Sequence, residues 1–339
     1  MKNVIKITML CVFLLGCGGY QSGGFENIIG TARHHVQSGF RLLNKGYMDD
    51  ADREFDLALR ADEECSAALR GKALLIFIRG RNTEALKYLG KALLSADTNE
   101  DKAMAHAGFM KVLRNETGCT DSVLSHFSDA VISVTGLPEA YFELGLCFKE
   151  AHDFNRSREA FQRIVDMRGR LAKDAKKELS LLHKIRRADP KDQMVIELAL
   201  KAFLTRAELC MILVREMGLP DALLRSRGHI LKPSNKRTLK DTIGHRFSDE
   251  IDALAKMELS GLSENSEGNF EPDGKVTRAD FISLISDLIA RISGSRRVDP
   301  AFGEDFLDRE LSGDASAGIG GADILLVLKK IREKYPVFD

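Results

Sequence analysis

The chain has 339 residues, with 50 basic and 50 acidic side chains, 44% hydrophobic and 7% aromatic residues, no Trp and seven Pro. That length allows two modest domains or one long repeat array, the apolar fraction is ample for a packed core, and a composition this poor in Pro suits helices better than sheets. A net charge of zero argues against a nucleic-acid binder that works through its overall field.

Lys2 and Lys6 precede a ten-residue apolar stretch, Ile7 to Gly16. It is too short to span a bilayer and suits the h-region of a secretory signal. The run ends Leu14-Leu15-Gly16-Cys17, which resembles the lipobox of bacterial lipoproteins. The resemblance implies a signal peptide over residues 1–16 that is removed, and lipidation of Cys17 with diacylglycerol and a fatty acid. Several acyl chains on one residue hold a membrane stably, since each buried methylene contributes roughly 0.8 kcal/mol. Gly18, where an Asp would signal inner-membrane retention, points to the outer membrane, facing the periplasm. Residues 17–31, with the uncharged run Gly18-Gly19-Tyr20-Gln21-Ser22-Gly23-Gly24, read as a flexible tether. Of the remaining cysteines, Cys65, Cys119, Cys147 and Cys210 are far apart and lack CxxC spacing. Buried free thiols are expected, with a single disulfide as the alternative in an exported protein.

A phrase then repeats. Gly46-Tyr47-Met48-Asp49-Asp50-Ala51 leads to Phe55 and Ala58, and Gly80-Arg81-Asn82-Thr83-Glu84-Ala85 leads to Leu89 and Ala92, so that Ala51 and Ala85 stand 34 residues apart. Val123, Phe127 and Ala130 mark a degenerate third copy; Leu144-Gly145, Phe148, Phe154, Ser157, Phe161 and Ile164 mark a fourth. A small side chain at Ala51 or Ala85 lets two helix axes approach, and Phe55, Leu89, Phe127 and Phe161 fill the gap that results. No unit covers its apolar face alone, so the units must stack. With Gly39, Gly46 and Gly145 these residues resemble the tetratricopeptide repeat, although the Pro that often closes a unit is missing from all four. The resemblance implies an all-α solenoid of about four repeats over 32–188, with a concave surface that receives a protein partner. The basic run Arg168, Arg170, Lys173, Lys176, Lys177, Lys184, Arg186 and Arg187 fits the solvated face of a capping helix, or else a contact with an anionic surface.

Pro190 ends that helix and sets off residues 189–339 as a second helical domain. There Phe247-Ser248-Asp249 precedes a helix face of Ala253, Leu254 and Met257, with Gly261 as its stop, then an exposed loop. Thr277 is the N-cap of an amphipathic helix through Phe281, Leu284, Ile285 and Leu288. The phrase from Phe247 to Thr277-Arg278-Ala279-Asp280-Phe281 resembles an S-layer homology repeat, most completely over 247–290. Thr205-Arg206-Ala207-Glu208 matches its helix start, and Ile319-Gly320-Gly321-Ala322-Asp323-Ile324, after Phe306-Leu307-Asp308, looks like a worn third copy. The resemblance implies a pseudo-threefold helical bundle that binds cell-wall polysaccharide or peptidoglycan through its motif arginines, here Arg206 and Arg278, with Gly320 or Gly321 in the third copy. These arginines alternatively pair with carboxylates near their helix starts. Between the first two units lie Arg225, Arg227, Lys232, Lys236, Arg237, Lys240 and Arg246 against Asp241 alone, a solvated loop or an electrostatic contact for an anionic polymer.

Asn269, Glu271, Asp273, Gly274 and Asp280 fall near calcium-loop spacing but lack the opening Asp and the closing bidentate Glu. The eight histidines, including His34-His35, are scattered without metal-ligand spacing, and no nucleophile elbow, Walker loop or dinucleotide fingerprint occurs. The expectation is therefore a non-enzymatic, lipid-anchored cell-envelope protein without cofactor, metal or nucleic acid, whose solenoid binds a protein and whose second domain binds glycan. The alternative is an outer-membrane or pilus assembly factor in which the second domain is a non-binding cap.

Overall fold

The structure is a computed structural model that describes residues 31–226, 239–293 and 317–338. The signal segment, Cys17, the tether up to residue 30, the middle of the basic insert and Phe306-Leu307-Asp308 lie outside the described residues. Within them the chain is all-α, with two isolated bridges and no strand. It forms two compact units that divide between Leu179 and Ser180.

The first unit is a tetratricopeptide-like solenoid. Helices α1 (Ala32–Asn44) and α2 (Met48–Ala61), α3 (Ser66–Ile78) and α4 (Asn82–Leu94), α5 (Asn99–Thr117) and α6 (Asp121–Ser133), and α7 (Pro138–Glu150) and α8 (Phe154–Asp166) form four successive pairs, followed by α9 (Ala172–Ala188), within which the division falls. Thr31, Thr98 and Asp153 start helices by accepting hydrogen bonds from the backbone N–H groups of His34, Asp101 and Arg156. Three pairs turn at a positive-φ residue two places past the first helix, Gly46 (φ 84°), Gly80 (φ 79°) and His152 (φ 58°), and the third turns at Gly118 (φ 75°), which directly follows α5. Three of the four are the residue that takes this conformation without steric cost.

The helices meet where a large side chain enters a gap over a glycine. A Cβ on Gly39 would lie 2.6 Å from the Phe55 ring, and one on Gly71 would overlap the same ring from the next pair. Leu89 fills the equivalent space over Gly108, and Phe161 the space over Gly145, where the hypothetical Cβ is 2.7 Å from the ring. Ala51, Phe55, Ala85, Leu89 and Phe161 are accordingly buried. Phe127, expected to fill the third gap, is only half-buried, with its ring edge-on to Tyr141 at 5.2 Å.

Cys119, in the α5–α6 turn, is disulfide-bonded to Cys147 on α7, with Cα atoms 4.8 Å apart. This corrects the expectation of free thiols for that pair. Cys65 is not a free thiol either, whereas Cys210 is free and buried, and burial pushes its thiol pKa up to about 12. The disulfide closes 28 residues and joins the turn of the third pair, the one whose packing phrase is least complete, to the first helix of the fourth.

In the second unit α10 (Gln193–Ala199), α11 (Arg206–Met211), α12 (Leu219–Ser226), α13 (Ser248–Ala255), α14 (Arg278–Ser293) and α15 (Gly321–Lys334) surround a core containing Leu204, Phe247, Phe270, Val276, Phe281 and Ile324. Helix α13 stops at Ala255, ahead of the predicted Gly261. Arg291 donates hydrogen bonds to the carbonyls of Met257 and Glu258, and Glu258 adopts φ 50°, so the chain leaves the helix early. Gly261 serves another purpose: a Cβ there would overlap the Asp280 carbonyl.

Two measurements test this packing. Gly145→Ala should lower the unfolding free energy by about 1–3 kcal/mol through overpacking against Phe161, and adding Phe161→Leu should recover part of that loss in a denaturant-melt cycle. Cys119→Ser should cost about 2–4 kcal/mol from loss of the 28-residue loop closure, read as a lower melting temperature under non-reducing conditions.

Candidate functional site

Two surfaces collect the residues singled out by the sequence. The first is the solenoid's line of first helices. Helix α1 touches α3, α3 touches α5 and α5 touches α7, whereas the second helices of successive pairs meet one another less. The first helices therefore sit closer together, and the array curves toward them. Ion pairs link each repeat to the next, some through its second helix and some along this line. Lys72 on α3 reaches Asp52 and Asp56 on α2, at 2.5 and 2.8 Å, and Arg79 reaches Asp52 at 2.8 Å. Burial alone would raise the Asp52 carboxyl, but hydrogen bonds from Lys72 and Arg79 hold it below the usual range. Arg114 on α5 pairs with Glu143 and Glu150 on α7, and Lys149 with Glu178.

Beneath this line Arg70 on α3 is 2% exposed, with the buried Asp101 of α5 at 3.8 Å. Burial pulls the guanidinium down to about 10 against the opposing pull of Asp101, and burial raises the Asp101 carboxyl. Such a pair is costly to bury and costly to break. The sequence reading passed over it; the signal was an arginine inside the apolar run Ala67-Ala68-Leu69-Arg70-Gly71-Lys72-Ala73.

The second surface is a junction of three helix starts. The Leu204 N–H donates to the Ile319 carbonyl at 3.1 Å, Ile319 N–H to Val276 at 3.3 Å, and Val276 N–H to Leu204 at 3.0 Å. Three buried residues from distant parts of the chain thus close a ring of backbone hydrogen bonds. Each precedes a helix: Thr205 caps α11 in a reciprocal box with Glu208, Thr277 exchanges the same bonds with Asp280 before α14, and Gly320 precedes α15. The ring sets the register, so Arg206, Arg278 and Gly321 are equivalent. A Cβ on Gly321 would overlap the Leu198 carbonyl, which is the physical reason the third position carries no arginine.

Arg206 does not present an open fork. Its Nε, Nη1 and Nη2 donate to the carbonyls of Phe270, Gly261 and Ser263 at 2.8, 3.2 and 2.7 Å, and its guanidinium lies 4.7 Å from the Phe270 ring centre. The expected glycan ligand is therefore a clamp on the loop before α14, and the expected pairing with a carboxylate is replaced by pairing with carbonyls. Arg278 is half-buried at the first position of α14, where its N–H donates to the Ala317 carbonyl at 3.0 Å. Asp241, the lone acid of the basic insert, accepts from the N–H groups of Phe270 and Glu271 at 3.0 and 2.6 Å. Arg225 donates to the Val337 carbonyl, and Arg246 stacks on Phe247. In the basic run Arg170, just before α9, and Lys184 pair with Glu139 and Asp323, while Lys173, Lys176, Arg186 and Arg187 are exposed.

Calcium-loop convergence does not occur: Asp280 is taken up in its helix cap, Glu271 accepts from Asn265, and the Asp273 side chain is 91% exposed. What the sequence reading did miss is His106, His126 and Asp129, whose ligand atoms all lie within 4.8 Å of one another. Their signal was the antiparallel register of the third pair, which sets α5 against α6.

By its helix pairing and register the protein is an all-α repeat protein with a tetratricopeptide-like solenoid. No protein-family model and no curated protein matches the chain. Among solved structures, the crystal structure of MamA protein matches with 19% identity and a TM-score of 0.33, covering 46% of this chain and 82% of that one.

Arg206→Lys, which keeps the charge and loses the fork, should destabilise the second unit by about 1–3 kcal/mol. Differential scanning calorimetry of wild type and variant checks this, and an unchanged thermogram would show that the clamp carries no stability.

Proposed function

We propose that this is a non-enzymatic, lipid-anchored envelope protein whose solenoid holds a protein partner along its first helices, and whose second unit is a diverged S-layer-homology-like cap. The observation that carries the reading is the continuous inner line of α1, α3, α5 and α7. A curved helical array of this kind offers one extended surface for a peptide or helix. Support for export comes from the lipobox-like Leu14-Leu15-Gly16-Cys17 and from the Cys119–Cys147 disulfide, a bond that persists in oxidising compartments. Support for a cap without glycan affinity comes from Arg206, whose guanidinium donates to three loop carbonyls, and from Gly321 in the third arginine position.

Photo-cross-linking side chains at the exposed positions Arg41 and Lys102 on first helices should capture one discrete protein adduct in native membranes, and those at Lys87 and Glu159 on second helices should not. Equal capture from both sets would defeat the inner-face assignment. Cys17→Ser should leave unprocessed precursor and remove the protein from the detergent phase. Sedimentation of the wild type with purified sacculi at low salt, lost on Arg278→Lys, would instead establish the glycan reading.

A further inference from the structure

The third helix pair carries a group of polar side chains that the proposed function does not use. His106 projects from α5, and His126 and Asp129, three residues apart on α6, share one face. The two Nδ1 atoms approach to 2.9 Å, and Asp129 Oδ2 lies 3.9 Å from His106 Nδ1. The Phe109 ring stacks flat on His126, with centroids 4.6 Å apart and planes 2° apart, which fixes the direction of that imidazole. Two imidazole nitrogens this close cannot both present lone pairs to each other, so either one bears a proton pointing at the other or a cation sits between them.

The geometry points to a zinc-class metal site formed by His106, His126 and Asp129, with its fourth position open to solvent. Two imidazoles and a carboxylate suit Zn²⁺ and its late first-row neighbours, whereas Ca²⁺ and Mg²⁺ require oxygen ligands throughout. Tetrahedral zinc with bonds of about 2.0–2.1 Å sets its ligand atoms about 3.3 Å apart. The observed 2.9 and 3.9 Å bracket that value and all three ligand atoms lie within 4.8 Å of one another, so side-chain rotation that draws the Asp129 carboxylate inward seats the ion. Burial holds both imidazoles below their usual pKa, His126 further through its neighbour His106, against the opposing pull of Asp129. Neutral imidazole is the ligating form. His106 is 13% and Asp129 48% exposed, so the ion enters from water at the carboxylate side. There it would tie α5 to α6 in the pair where Phe127 is only half-buried.

The test uses the full chain without a histidine tag, stripped with EDTA. One equivalent of Co²⁺ should give the visible ligand-field bands of tetrahedral coordination, and Zn²⁺ should displace it and raise the melting temperature. His126→Ala should abolish the bands. Asp129→Asn, which leaves the Phe109 stack intact, should melt like the wild type in EDTA while weakening Zn²⁺ binding by about tenfold or more. His35→Ala, at a histidine paired instead with Glu54 at 2.7 Å, should change neither. Absence of cobalt bands in the wild type, or bands of equal strength in His126→Ala, would overturn the assignment and leave a histidine–histidine hydrogen bond.

Discussion

Everything in the first unit depends on how closely two helix axes approach when one contributes no side chain. Gly39 and Gly71 receive the Phe55 ring from two neighbouring pairs, and Gly108 and Gly145 receive Leu89 and Phe161. A single ring over two glycines couples one pair to the next, so burial of Phe55 is shared between units. Shared burial of this kind makes a repeat array cooperative. It also sets the spacing of the first helices, and with it the inner face on which a partner could lie. Where the device weakens, at half-buried Phe127, other chemistry concentrates: the Cys119–Cys147 disulfide ties the turn of the third pair to the fourth, and the His106, His126 and Asp129 group lies on the third pair itself.

The second unit is organised by hydrogen bonding more than by ring packing. Its three helix starts meet through Leu204, Val276 and Ile319, and the side chains that follow are bound to the needs of that meeting. Arg206 satisfies the carbonyls of a loop that would otherwise leave acceptors unpaired, and Gly321 permits contact with the Leu198 carbonyl. Positions that look like a ligand set in the sequence are thus divided between a clamp, a helix start and a close backbone approach.

The sequence made the solenoid legible because its determinants are local and periodic. Gly46, Ala51 and Phe55 recur one unit later as Gly80, Ala85 and Leu89. The fourth turn was harder to see, since His152 takes the left-handed conformation without being glycine. The equivalence of Thr205 and Thr277 was likewise visible as a capping phrase. The partners of Arg206 were not, because they are backbone carbonyls more than fifty residues away, and carbonyls leave no mark in a sequence. The Cys119–Cys147 bond and the His106–His126 contact were hidden for a related reason: neither follows from spacing along the chain until α6 is known to fold back on α5.

The ring joining Leu204, Val276 and Ile319 governs when this part of the chain can become structured. Each member donates to one neighbour and accepts from the other, so two of them leave one donor and one acceptor without a partner. During synthesis the stretch from Leu204 onward has no closed ring until Ile319 has emerged. The solenoid upstream pairs its helices locally and can complete each pair as it appears. One polypeptide therefore combines a half that folds as it is delivered with a half that must wait.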